Sequence, residues 1–130
     1  MGPTLGAWRA DPTAAQAPGG ERLVDAQHRV REALSGILAE MRPLTPPHAN
    51  HAAEKAYWAI LVAHDGTLRL ALMTLLGLPI ERFWSFPFAL CGISVVEIDG
   101  GRAVLRAHNL VDHLATLAPA AGRSDRGGAL

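Results

Sequence analysis

Histidine is the side chain best suited to moving a proton or holding a phosphoryl group near neutral pH, and six occur in this chain of 130 residues. The most informative is His64. An unbroken apolar run, 58–63, leads into it; Asp65 and Gly66 follow, and then a helical pattern over 67–76. In open α/β sheets ligands collect beyond the carboxyl ends of strands, and the free N–H groups that open a helix attract anions. A histidine at such a junction, with a glycine two residues on that lets a ligand approach the backbone, offers an imidazole and the amides of Asp65 and Gly66 to a phosphate. The pattern alone leaves a second reading open, in which His64 is a structural residue at a strand end. Asp65 suits a helix start, where a carboxylate caps backbone N–H groups and meets the positive end of the helix dipole. Capping outweighs a catalytic role for it.

The remaining reactive residues carry weaker signals. His48 and His51 have His-x-x-His spacing in a proline-rich stretch, but no cysteine pair or carboxylate cluster accompanies them, so neither a metal nor a cofactor is expected. His108 and His113 read as packing or hydrogen-bonding residues. Glu21 is either a functional acid or a first-turn carboxylate stabilised by the helix dipole. Cys91 lacks any neighbour that would activate a thiolate and reads as a small buried or half-buried apolar residue. Phe83, Trp84, Phe86 and Phe88 read as core or pocket wall.

The elements that must position these residues follow from periodicity. Residues 1–20 hold three prolines and four glycines and read as a loosely packed arm anchored by Trp8. Over 21–41, Leu23, Ala26, Val30, Leu34, Ile37, Leu38 and Met41 recur at spacings of three and four, a one-sided helix that Pro43 ends. Residues 43–50 form a loop. The run 58–63 has the pattern of a strand buried on both faces of a parallel sheet. A helix over 67–76 stops at Gly77 and Pro79, and 80–85 allow one more helical turn. The β-rich runs 92–99 and 102–106 flank Gly100-Gly101, a hairpin signal. A short helix over 110–117 and a disordered tail over 118–130 complete the chain.

Composition excludes several function classes. Twelve cations balance twelve anions, leaving no basic stripe for nucleic acid. The apolar runs fall short of the roughly 18 residues a membrane span needs, so no membrane partner is expected. A single cysteine and no secretory leader pattern point to a cytoplasmic protein.

Pro18-Gly19-Gly20-Glu21 with Asp25 and Arg29, then Val62-Ala63-His64-Asp65-Gly66 with Arg69, then Leu75-Leu76-Gly77-Leu78-Pro79 and Phe83-Trp84, resemble the carboxyl-terminal half of a histidine phosphatase. This is the phosphoglycerate mutase-like superfamily, with the flavour of the broad-specificity and α-ribazole phosphatases. The stretch from Ile93 to Gly101, and Asn109 through His113-Leu114, continue the match, which covers about residues 8–117. In that family a phosphoryl group passes to a histidine in an Arg-His-Gly motif at the start of the fold, and a second histidine, matched here by His64, stabilises it. The resemblance places Glu21 near the mouth of the site and Trp84 and Phe86 on its substrate side. Many relatives carry Gly-Gly after the second histidine, so Asp65 brings a negative charge beside the phosphate unless its side chain turns away.

No Arg-His pair occurs in this chain; the nearest dipeptide is the reversed His28-Arg29. The resemblance therefore implies an α/β, partial three-layer fold lacking the first strand and its Arg-His-Gly loop, with 1–20 as arm, 21–117 as the phosphatase-like half and 118–130 as tail. It implies phosphomonoester hydrolysis through a phosphohistidine when complete, and inactivity of the chain alone. Its partners are then a phosphate ester or phosphate, and either a missing amino-terminal half or further copies of itself. The alternative is a non-catalytic relic or interaction module that binds anions weakly at His64.

Overall fold

The computed structural model of the protein describes residues 5–14, 16–41 and 57–117. In chain order these form α1 (Leu5–Ala10), α2 (Leu23–Glu40), α3 (Asp65–Leu76), a 3-10 helix (Ile80–Ser85), strands β1 (Ile93–Asp99) and β2 (Arg102–Leu110), and a 3-10 turn (Asp112–Leu114). The chain is α/β in composition. The two strands form one antiparallel pair.

The core is made by α2 against α3. Val30 and Leu34 meet Leu70, Ala71 and Met73, the apolar stripe that the three-and-four spacing of α2 requires. Phe83, from the 3-10 helix, closes one end and is 1% exposed. Gly77 ends α3 with φ +65°, and Leu78 and Gly77 donate their N–H groups to the carbonyls of Met73 and Thr74, a Schellman cap that glycine adopts without steric cost. The arm contains a helix that its sequence gave no periodicity to reveal, since six residues span under two turns. Its anchor is Trp8, whose ring meets those of Trp84 and Phe83 edge-on at 4.8 and 5.9 Å.

The hairpin turns at Gly100 and Gly101, both with positive φ, as a two-residue turn between twisted strands requires. Pairing starts at Asp99 with Arg102, then shifts twice. Val96 faces Leu105 while Val95 faces Ala107, which leaves Arg106 as an extra residue on β2. Arg106 uses that freedom to reach Glu97 at 2.6 Å.

Three expectations are corrected here. Residues 58–63 do not form a strand buried on both faces: they pair with no strand among the described residues, and Trp58, Ile60 and Val62 are 80%, 89% and 91% exposed. A parallel strand needs a neighbour to satisfy its backbone and an apolar layer on each face, and the described residues supply neither. The helix over 110–117 shrinks to the 3-10 turn, because Leu110 is still paired with Ile93. Cys91 is exposed and sits at φ +58° in the turn before β1, rather than buried. The loop 43–50 and the tail 118–130 lie outside the described residues.

Candidate functional site

His64 is the residue immediately before α3. Its backbone is extended (φ −78°, ψ 158°), its carbonyl accepts the N–H of Leu68 at 3.0 Å, and its exposed imidazole makes no capping bond to the helix. The first amides of α3, those of Asp65 and Gly66, follow directly. They are among the donors that an α-helix leaves without an internal partner. At Gly66 an added Cβ would meet only the Phe83 ring, at 3.9 Å. Packing therefore does not demand glycine there.

Asp65 does not cap the helix. Its carboxylate is gripped by the guanidinium of Arg69, one turn on, through Nε at 2.5 Å and Nη2 at 3.1 Å. Arg69 is 6% exposed. Its Nη1 donates to the carbonyl of Phe86 and, at 3.4 Å, to that of Phe83, while its guanidinium carbon lies 5.1 to 5.8 Å from the ring centres of Trp84, Phe88 and Phe83. A buried guanidinium beside one carboxylate and several aromatic faces is a paired cation. Asp65 thus contributes no net charge of its own next to His64. Sequence reasoning gave Arg69 no role beyond the resemblance, although its i,i+4 spacing from Asp65 is the signal of such a pair.

Trp84 and Phe86 both join this cluster. Trp84 packs against Trp8, Phe83 and Arg69, and its indole N–H is buried with no acceptor among the described residues. Phe86 supplies its carbonyl to Arg69, and its ring stands nearly perpendicular to that of His108, 5.6 Å between centres. Glu21 precedes α2 and is bound through both oxygens to Arg29, at 3.1 and 2.8 Å, which holds its carboxyl below the ordinary glutamate range. Arg29 in turn helps line a groove of about 310 Å3 between α2, α3 and residues 60–63. The groove walls are otherwise mostly apolar, among them Val30, Leu34, Ile37 and Leu61.

The other histidines separate cleanly. His108 is held at both nitrogens, by the Pro87 carbonyl at Nε2 (2.8 Å) and the Ser94 hydroxyl at Nδ1 (3.0 Å). Because a carbonyl only accepts, Nε2 carries the proton and Ser94 donates to Nδ1. Beside it Asn109, at φ +56°, donates its N–H to Ser94 and accepts the N–H of Ala89. His28 lies 3.7 Å from Glu32 on the exposed side of α2, and His113 is exposed in the 3-10 turn. His48 and His51 lie outside the described residues. Among the described residues no group of three or more metal-ligating side chains occurs, and no helix is long and apolar enough to cross a membrane.

Comparison with known proteins adds two findings. The family profile of the histidine phosphatase superfamily (branch 1) matches residues 2–111. Phosphoserine phosphatase 1 of Hydrogenobacter thermophilus (strain DSM 6534 / IAM 12695 / TK-6) is 28% identical over 110 residues, which are 82% of this chain and 44% of the relative. The chain thus spans less than half the length of that relative.

Proposed function

The chain belongs to the histidine phosphatase superfamily (branch 1), and on that premise we propose that it carries the carboxyl-terminal half of a phosphomonoesterase, with His64 as the phosphate-stabilising second histidine. The amides of Asp65 and Gly66 complete its side of the phosphate cradle; Glu21, Trp84 and Phe86 belong to the pocket. In this reading the fold is a partial three-layer phosphoglycerate mutase-like one, built on 21–117, without the first strand and its Arg-His-Gly loop. The observation that carries the proposal is the exposed imidazole at the opening of α3, beside a carboxylate already neutralised by Arg69. A phosphate ester is the substrate class. A cytoplasmic setting belongs to the same proposal.

Without the nucleophile the phosphoryl group has no acceptor, so these 130 residues alone do not turn over a phosphate ester. The test is hydrolysis of an aryl phosphate by the purified chain against its His64→Ala variant. No difference between them is expected. Robust turnover abolished by His64→Ala would contradict the proposal and make His28 or His113 the nucleophile.

A second reading has an observation of its own. Residues 57–63 expose apolar side chains on a stretch without regular secondary structure, whose backbone groups have no hydrogen-bond partner among the described residues. Such a stretch accepts a strand from outside, either from an amino-terminal half or from another copy of the chain. As an interaction module the chain would bind anions at His64 without catalysis.

A further inference from the structure

We propose that Arg69 is a positioning residue for the His64 turn, holding it against the aromatic segment and cancelling the charge of Asp65 where a phosphate would lie. The inference deepens the reading of His64 given above and rests on it. Three observations converge. Asp65 is covalently next to His64, so whatever holds Asp65 holds the turn. Arg69 grips both oxygens of Asp65 and at the same time the carbonyls of Phe86 and Phe83, which are 17 and 14 residues further on. The Arg69 side chain is 7% exposed and that of Asp65 24%, so solvent screens the pair little.

The electrostatic consequence has a sign. With Arg69 in place the pair adds no net charge beside His64; without it, a carboxylate faces any anion bound at the first amides of α3 and repels it. Lysine cannot reproduce the fork that reaches a carboxylate and two carbonyls together, but it keeps the charge. A residue that merely held the core together would weaken phosphate binding on any substitution. A charge-cancelling residue makes the outcome depend on what remains at position 65.

The experiment measures inorganic phosphate binding by NMR, from the resonances of His64, Asp65 and Gly66 in the full chain, together with hydrogen exchange of the Leu68 amide, whose acceptor is the His64 carbonyl. Arg69→Met is expected to weaken phosphate binding by about tenfold or more, as a like charge at this range does. Adding Asp65→Asn to it restores binding to within about threefold of the original, since the repelling charge is gone. Arg69→Lys keeps binding close to the original and provides the comparison if Arg69→Met fails to fold. In every folded Arg69 variant the Leu68 amide exchanges faster, while amides in the last turn of α3 do not. Arg69→Met binding as well as the original overturns the inference, and so does a double variant that stays as weak as the single one. If the unmodified chain shows no phosphate binding that depends on His64, the functional reading fails instead. The exchange of Leu68 then decides the positioning role by itself: unchanged exchange in Arg69→Lys refutes it, faster exchange supports it.

Discussion

At the scale of single residues, the turn at His64 is defined as much by what does not crowd it as by what does. Gly66 has room for a methyl group, with the Phe83 ring at 3.9 Å as its nearest obstacle. Gly66→Ala is therefore expected to leave stability unchanged or raise it by up to about 1 kcal/mol, through the better helix propensity of alanine. If a phosphate approaches the backbone there, the same variant weakens phosphate binding. Thermal unfolding and phosphate titration on one preparation check both halves, and a loss of stability would contradict the packing. The place of His64 at the opening of α3 was legible in the sequence because a histidine and a glycine precede a helical pattern. Asp65 was misread as a cap because a carboxylate at a helix start suits that role equally well, and only the folded chain shows which partner wins. The partner is a charged fork one turn away, which binds a carboxylate more strongly than a backbone N–H does.

At the scale of elements, α2, α3 and the hairpin were readable because each satisfies its own local rule: three-and-four spacing in the helices, a glycine stop after α3, and a glycine pair between β-rich runs. The segment 58–63 was not, since its composition describes a strand only if neighbours exist to pair with it. The bulged end of β2 was hidden for a similar reason. Its bonds among Ser94, His108, Asn109, Pro87 and Ala89 join residues 14 to 21 positions apart. The hairpin also carries an exposed pair, Glu97 with the bulge residue Arg106, whose pH dependence is defined. The hydrogen bond from Arg106, reinforced by its charge, holds the Glu97 carboxyl below the ordinary glutamate range. A carboxyl with a depressed folded-state pKa stabilises the fold above its unfolded value and loses that contribution as pH falls through the folded one. The expected outcome is that Glu97→Gln removes part of the loss of hairpin stability between about pH 5 and pH 3, with little effect on its steepness elsewhere. Acid titrations of the two proteins, followed by the β1 amides, measure it; identical curves would show that the pair contributes nothing.

At the scale of the whole molecule, the helical core is complete around Met73 and Phe83 while the face formed by 57–63 is not. Net charge of zero gives no long-range repulsion between copies. The purified chain is expected to self-associate as its concentration rises, and Ile60→Lys with Val62→Lys to return it to a monomer, because charges in place of exposed apolar side chains oppose pairing between copies. Light scattering decides this, and a monodisperse monomer at high concentration would mean that the exposed stretch is covered by the chain itself. Whether the His64 turn is the phosphate site of a histidine phosphatase half is read out by titrating inorganic phosphate into the labelled chain. No Arg-His-Gly motif occurs in these 130 residues, and each charge-assisted bond that its arginine and histidine would have made is worth very roughly 1.5 to 3 kcal/mol, so binding should lie in the millimolar range or weaker. The His64, Asp65 and Gly66 resonances are expected to move together, and His64→Ala to abolish the response. Phosphate that leaves these three unmoved and shifts His48 and His51 instead would contradict it.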